Sequence, residues 1–172
     1  PAQGNAWEPY PLSLRIVNWI KWTLSGESLS TTLADSLAIQ ARFLTQRLER
    51  HLLGNHLFVN AKALIFAGLF FDGPEADRWR RIGFEILKDQ FDEQILSDGG
   101  QFERTPMYHA LALEDVLDLI NAARTFRHAL NPVERDFLAR WEKTAPQMRV
   151  WLTTMSHPDG DIAFFNDAAF GV

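Results

Sequence analysis

The sequence predicts an all-α protein. Six segments carry apolar residues at every third or fourth position, the spacing that gives a helix one apolar face. The connections between these segments are short, and no convincing strand pattern occurs before a tail that begins near residue 156. Helices of this length joined by short turns pack as antiparallel hairpins. The pattern alone leaves open whether the hairpins form a bundle or an arc.

The predicted helices cover, in order, residues 13–24, 30–53, 56–71, 75–96, 105–126 and 131–155. An extended entry over residues 9–11 precedes the first, because a residue before proline disfavours the helical region. The third segment is apolar nearly all round, so we expect it inside the core. Pro146 predicts a kink or an interruption in the sixth.

Capping residues mark several of the predicted boundaries. Gly54 is expected to end the second helix as a left-handed C-cap, and Asn55 to cap the third helix at once. Thr105 and Pro106 fit the N-cap and the first position of the fifth helix. Asn131 is expected to open the sixth.

Composition excludes several classes of protein. The 172 residues include no cysteine, which excludes disulfides and thiolate metal sites. The net charge of −5 argues against a nucleic-acid partner, which favours a basic face. No apolar run approaches the roughly 20 residues of a membrane span. The length fits one domain, 1–172, yet the apolar segments 162–165 and 168–172 predict that the chain is truncated before this domain is complete.

The start of the third helix is the first candidate site. Asn55 and His56 follow Gly54, and a helix N-terminus offers N–H donors and partial positive charge to a carboxylate. Asn60 lies four residues after His56, on the same helix face, and is polar within an otherwise apolar segment. The competing interpretation is that Asn55 is simply an N-cap and His56 a residue of the first turn.

A second candidate surrounds the start of the fifth helix. Tyr108 and His109 lie in its first turn, and Arg104 precedes them by a few residues. A helix N-terminus and a guanidinium both stabilise phenolate over phenol, as a proton-transferring tyrosine requires. Glu103 is expected to orient Arg104. The competing interpretation places Tyr108 in the core with its hydroxyl satisfied.

Two weaker signals are present. Trp19 and Trp22 lie three residues apart on one helix face and could stack on a sugar ring, although large aromatics are more often core residues. The tail has a polar cluster that is too thin to predict a metal site and reads as a turn: it comprises His157, Asp159, Asp161, Asn166 and Asp167. Serine- or cysteine-nucleophile motifs, phosphate loops and zinc-helix motifs are missing.

Two segments in this order resemble a known family. Residues 54–64 (GNHLFVNAKAL) and 98–109 (DGGQFERTPMYH) are similar to the N-terminal helical domain of the heparinase II/III-like polysaccharide lyases, a group that includes alginate lyases. The resemblance implies part of an incomplete α/α toroid, with the rest of the toroid and a C-terminal β-sandwich absent from this chain. That would favour an arc over a bundle.

The resemblance also implies roles for three of the candidate residues. Asn55 and His56 match the group that neutralises the uronate carboxylate, and Tyr108 matches the general acid or base. His109, Asn60, Arg104 and Glu103, with the two tryptophans of the first helix, are the expected substrate contacts. The substrate would be an acidic polysaccharide, and no metal or organic cofactor would be needed. The sequence leaves the compartment undetermined, with a periplasmic or secreted location favoured. A further catalytic residue would lie beyond residue 172, so the isolated chain is expected to be inactive.

Other functions fit the same residues. A uronate epimerase would share the proton abstraction but not the cleavage of the glycan. A helical binding module would hold an acidic glycan or a protein without turnover. A helical scaffold would use the same residues only as caps and turns, and would keep Asn55, His56 and Tyr108 apart.

Overall fold

The structure, a computed structural model, describes residues 4–52 and 54–169, and the regular elements of that part are helices. In chain order these are α1 Pro9–Leu24, α2 Thr31–Thr45, α3 Asn55–Phe70, α4 Pro74–Gln94, α5 Pro106–Thr125 and α6 Pro132–Thr154. Short 3-10 helices precede α1, at Asn5–Trp7, and α6, at Arg127–Ala129. Over the described part, β structure is limited to two isolated antiparallel bridges. The predicted all-α class is confirmed. None of these helices is both long enough and apolar enough to cross a membrane.

The chain forms two compact units, Pro1–Lys88 and Asp89–Val172. The first contains α1, α2, α3 and most of α4, and the second contains the end of α4 with α5 and α6. Each unit holds one of the two motifs found in the sequence: residues 54–64 lie in the first and residues 98–109 in the second.

In the first unit, α1 packs against both α2 and α3. The Asn60 amide donates to the Ser13 hydroxyl at 3.1 Å, and the Asn55 amide donates to the Tyr10 hydroxyl at 3.3 Å. These pairs are separated by 47 and 45 residues. Because the separation is nearly constant, α1 and α3 run in the same direction with α2 as the return. The N-terminal ends of α1 and α3 therefore meet.

Helix α3 is the centre of this unit. Every residue from Leu57 to Leu69 is buried, which confirms the prediction made from its apolar character. Helix α4 approaches it closely because Gly68 and Gly83 lack side chains. A Cβ atom at Gly83 would lie 2.7 Å from the Ala61 carbonyl oxygen, closer than real contacts allow. The close approach keeps α3 in a fixed position for the polar groups at its start.

In the second unit, α5 and α6 form a hairpin. His109 at the start of α5 bonds to Met148 toward the end of α6, whereas Arg124 at the end of α5 pairs with Glu142, nearer the middle of α6. As the position in α5 advances along the chain, its partner in α6 lies earlier in the chain. The two helices are therefore antiparallel. The predicted hairpin packing is confirmed for this pair.

Helix ends in the second unit largely follow the predicted signals. The Asn131 side chain accepts from the Glu134 N–H at 3.0 Å, and the Glu134 carboxylate accepts from the Asn131 N–H at 2.9 Å, a reciprocal capping box. Thr105 precedes Pro106 as predicted, but its hydroxyl makes no cap bond. Helix α6 continues past Pro146, so an interruption there is not observed.

Two predicted boundaries in the first unit are wrong. Helix α1 begins at Pro9, since the first turn of a helix uses no backbone N–H of its own residues and tolerates proline. Helix α2 ends at Thr45 and does not reach Leu53, which itself lies outside the described residues. The Glu49 N–H donates to the Asn60 side-chain oxygen at 3.0 Å, whereas a continued helix would direct it to the Thr45 carbonyl.

The start of α3 also differs from the prediction. Gly54, with φ 84° and ψ −150°, is the N-cap, and Asn55 is the first helical residue. This backbone region is accessible almost only to glycine, which explains the residue type. The Asn55 side chain is therefore not used as a cap, contrary to the prediction, and engages a different partner.

Candidate active site

The first turn of α3 presents an amide and an imidazole together. Asn55 is half-buried and donates to the Tyr10 hydroxyl, and the His56 side chain is 38% exposed. The Tyr10 ring lies against the imidazole, with 4.7 Å between ring centroids and 44° between planes. Because Tyr10 lies in the first turn of α1, the partial positive charges of two helix N-termini lie beside these groups. The arrangement suits a carboxylate ligand.

Behind His56 lies a carboxylate that the sequence did not indicate. One oxygen of Glu49 is 3.1 Å from His56 Nδ1, and the other accepts from Asn60 Nδ2 at 3.0 Å. The Glu49 side chain is only 9% exposed. A buried carboxylate is stable only when its oxygens have partners, and here both do.

Asn60 holds this arrangement together from inside the unit. Its side chain is fully buried. Its Nδ2 donates to Ser13 and to Glu49, and its Oδ1 accepts from the Glu49 N–H. The Ser13 hydroxyl in turn donates to the Pro9 carbonyl at 2.8 Å. The structure thus corrects the expectation of a substrate contact: Asn60 is inaccessible, and it positions Glu49.

Tyr108 is the third residue of α5 and is half-buried. Over the described part of the chain, its hydroxyl has no hydrogen-bond partner. A phenol of this kind is available to a ligand, in contrast to a core tyrosine whose hydroxyl is satisfied internally. The structure therefore keeps Tyr108 as a candidate for proton transfer.

His109, the next residue, has a different environment. It is fully buried, and its ring lies 4.3 Å from that of Trp151 between centroids. Its Nδ1 accepts from the Gln101 N–H at 3.1 Å, and its Nε2 donates to the Met148 carbonyl at 2.8 Å. Burial lowers the pKa of His109 from 6.5, opposed by the Met148 bond and by the charge of Asp98. The expected substrate contact is corrected: His109 joins the turn before α5 to α6.

The Gly-Gly turn has the same packing role. Gly99 has φ +86°, and a Cβ atom there would lie 2.7 Å from the Gln147 carbonyl carbon in α6. A Cβ atom at Gly100 would lie 2.6 Å from Trp151 Nε1. Only residues without a side chain allow the turn to approach α6 this closely. The turn, with His109, fixes the start of α5 and hence the position of Tyr108.

Arg104 is exposed and has a φ of 55°, a left-handed conformation uncommon for a residue other than glycine. Asn166 Nδ2 donates to the carbonyls of Glu103 and Arg104 at 3.2 and 3.1 Å, which helps to hold this conformation. Glu103 accepts from the Gln101 amide at 3.1 Å and makes no ion pair with Arg104, so the predicted orienting role is wrong. Observed backbone strain of this kind often accompanies functional positions.

The structure gives the positions of the remaining candidate residues but adds no support for a function. On α1, Trp19 is half-buried and Trp22 is 47% exposed, so stacking on a sugar stays a prediction. In the tail, the His157 N–H donates to the Asp161 carbonyl at 2.7 Å, closing the predicted turn. No group of three or more His, Asp or Glu side chains that could hold a metal occurs in residues 4–52 and 54–169.

The structure thus brings the candidates together in two groups. Asn55 and His56 lie side by side in the first unit, and Tyr108 and Arg104 lie near the start of α5 in the second. The predicted convergence of these two groups on one substrate stays a prediction. Sequence reasoning missed Glu49 because it lies in a stretch predicted to be helical, and no glycine or proline before Gly54 signals the earlier helix end.

The family model described as Heparinase II/III N-terminus matches residues 3–171. The chain belongs to this family. The resemblance seen in the two sequence motifs is therefore confirmed. The fold class is confirmed with it, since the helical hairpins are those of the family's incomplete α/α toroid.

Members of the family with known activity extend well beyond the matched region. A heparin-sulfate lyase from Bacteroides stercoris is 34% identical over 116 residues, and one from Pedobacter heparinus is 30% identical over 116 residues. Each match covers 67% of this chain and 17% of the relative. A solved heparinase III structure matches with a TM-score of 0.66 and 28% identity, covering 90% of this chain and 24% of that one. This family member thus corresponds to a minor share of those proteins.

Proposed function

We propose that the chain supplies the carboxylate-binding site and a proton-transfer residue to a polysaccharide lyase that cleaves uronic-acid-containing glycans by β-elimination. Family membership supports a polysaccharide lyase, and the heparin-sulfate lyases among the relatives favour a heparan-type glycosaminoglycan as the first substrate to test. Since each match covers 17% of the relative, we propose that turnover requires further polypeptide, a toroid remainder and a β-sandwich.

One observation carries the proposal. Asn55 and His56 stand where the N-termini of α1 and α3 meet, and a buried Glu49–Asn60 network holds the imidazole from behind. A helix that needed only a cap at this point would not require either side chain, since Gly54 already serves as the N-cap.

β-Elimination at a uronate requires hydrogen-bond donors placed beside the substrate carboxylate. The C5 proton of a uronate is weakly acidic because C5 bears the carboxylate group. Removal of this proton spreads negative charge onto the carboxylate, which gives an enolate-like species. Donors already placed where the charge develops act mainly in the transition state. Asn55 and His56 are the donors, and the two helix ends add partial positive charge behind them.

Tyr108 carries out one of the two proton transfers that the elimination needs. Its hydroxyl protonates the departing glycosidic oxygen, or its phenolate abstracts the C5 proton, depending on the epimer of the uronate, and a residue of the further polypeptide makes the other transfer. Arg104, exposed four residues earlier, holds substrate charge.

The test is Tyr108→Phe in the longest natural coding sequence that contains this chain. The change removes one oxygen and should lower the rate of unsaturated-uronate formation about a hundredfold or more. Asn121→Ala, an exposed position on the same helix, serves as the control and should keep the wild-type rate. Wild-type turnover in Tyr108→Phe would remove this residue from the mechanism.

The same assay separates the alternatives. A uronate epimerase would exchange the C5 proton without shortening the glycan, so scission measured by size distinguishes it from a lyase. A binding module would show no product, and the substitution would change only the affinity for the glycan.

A further inference from the structure

The support behind His56 has a chemical consequence for its ring. Glu49 is nearly buried, and its two carboxylate oxygens are divided between His56 Nδ1 and Asn60 Nδ2. The Glu49 backbone is held as well, since its N–H donates to Asn60 Oδ1 at 3.0 Å. Glu49 is thus held by hydrogen bonds to its backbone N–H and to its carboxylate before any ligand binds.

A carboxylate only accepts hydrogen bonds, so the hydrogen in the 3.1 Å contact must lie on His56 Nδ1. The opposite ring atom, Nε2, has no hydrogen-bond partner in the part of the chain that the structure describes. The Tyr10 ring, packed against the imidazole, restricts its rotation. The hydrogen bond of one ring nitrogen determines the state of the other.

We propose that Glu49 is a positioning residue that holds His56 with its Nδ1–H directed inward and makes Nε2 the atom that meets the ligand. Under the proposed function, on which this role rests, Nε2 faces the uronate carboxylate and donates to it whenever the ring carries a second proton, whose charge Glu49 then balances. Asn55, beside it, donates to the same carboxylate. The two residues then act on the substrate in a single, fixed orientation.

The chain contains its own reference for this assignment. In His109 the Gln101 N–H donates to Nδ1 and the Met148 carbonyl accepts from Nε2, so the hydrogen of the neutral ring lies on Nε2. His56 and His109 should therefore be opposite tautomers in the same sample. Any general effect of solvent or temperature would act on both.

The experiment is long-range proton–nitrogen correlation NMR on the nitrogen-15-labelled 172-residue chain, at a pH where the histidines are neutral. His56→Gln and His109→Gln identify the two sets of signals. We expect the nitrogen shifts of His56 to report Nδ1–H and those of His109 to report Nε2–H. Nε2–H at a neutral His56 would overturn the proposal, and this result needs no Glu49 variant.

Variants test the cause. In Glu49→Ala, His56 should move toward the Nε2–H tautomer while His109 stays unchanged, and an unchanged His56 in the folded variant would overturn the role of Glu49. Glu49→Gln, similar in size, keeps the side chain able to bond to Asn60 and is the version to use if the alanine variant does not fold. In Glu49→Gln the amide oxygen can still accept from His56, so His56 should keep its hydrogen on Nδ1. This result would show that the hydrogen bond, and not the negative charge of Glu49, determines the tautomer.

Activity provides a separate readout. In the longer coding sequence, Glu49→Gln should lower kcat/KM about tenfold, and adding it to His56→Gln should cause no further loss, because both changes act through one group. Additive losses would contradict action through His56. If the wild-type protein shows no lyase turnover, the proposed function fails, whereas the tautomer measurement still decides the role of Glu49.

Discussion

Replacing His109 with alanine removes the ring that joins the turn at residues 99–101 to α6. The side chain is fully buried, and it accepts from the Gln101 N–H and donates to the Met148 carbonyl. The buried Gln101 N–H would lose its acceptor, at a cost of about 1–3 kcal/mol. The space left by the ring adds a comparable amount, so we expect the free energy of unfolding to fall by about 3 kcal/mol in total.

The assay is urea unfolding of the 172-residue chain followed by circular dichroism, with wild type and His109→Ala compared at one pH above neutrality. The denaturant slope should stay the same, which would show that the unfolded states are comparable. A loss below about 1 kcal/mol, the size typical of an average substitution, would refute the conclusion that His109 is a structural link.

The same residue gives stability a pH dependence with a defined sign. Burial is the main cause that lowers the pKa of His109 below 6.5 in the folded protein. The unfolded chain keeps a pKa near 6.5, so below about that pH it binds more protons than the folded chain. The contribution is therefore complete above about pH 6.5 and is lost as the pH falls below it. His109→Gln cannot titrate and should lose less stability over this range; equal losses in both proteins would contradict the assignment.

Two further substitutions separate site from scaffold. Asn55→Ala removes one 3.3 Å bond to Tyr10 and no helix cap, so thermal unfolding should report a loss of no more than about 1 kcal/mol. In the protein made from the longer coding sequence, Asn55→Ala should lower the lyase rate about a hundredfold, the effect expected when a donor to a developing negative charge is lost. An unchanged rate would show that Asn55 serves only in packing. Gly100→Ala places a methyl group 2.6 Å from Trp151 Nε1, and urea unfolding should show a loss of about 1–3 kcal/mol; a neutral result would mean that the turn can move away from α6.

The sequence is a good guide where one physical term dominates. Helix α3 is apolar on all sides, so burial was the only stable outcome, and the structure buries residues 57–69 without exception. The capping box at Asn131 depends only on residues three apart and was recognisable as a helix start. The all-α class followed from apolar spacing, and the two family motifs gave the toroid and the roles of Asn55, His56 and Tyr108, since each motif is a short local pattern.

Tertiary hydrogen bonds are where the prediction failed. Residues 46–52 have no helix breaker, yet Glu49 leaves the helix because its N–H bonds to Asn60 eleven residues later. Local propensity is worth a few tenths of a kcal/mol per residue, less than the satisfaction of a buried amide and carboxylate together. A single sequence does not show which distant partner competes with the helix.

Four residues of the motif at residues 98–109 were predicted to act on the substrate, and the structure divides them: Glu103, Arg104, Tyr108 and His109. Gly99, Gly100 and His109 pack the turn on α6, whereas Arg104 is exposed and Tyr108 is half-buried, with a hydroxyl that has no partner among the described residues. Glycine and histidine serve packing and chemistry equally well, and what decides between them is the neighbouring helix, some forty residues further along the chain.

The amide of Asn60 ties three stretches of the chain that are far apart in sequence: the start of α1, the connection after α2, and α3 itself. A surface connection is ordinarily the part of a domain that fluctuates most. Here the buried Asn60 amide of α3 holds Glu49 at both its backbone N–H and its carboxylate, so opening the connection at this residue would break both bonds. The imidazole of His56, which contacts Glu49, is consequently preorganised, so the protein would lose little conformational entropy when a ligand binds to it.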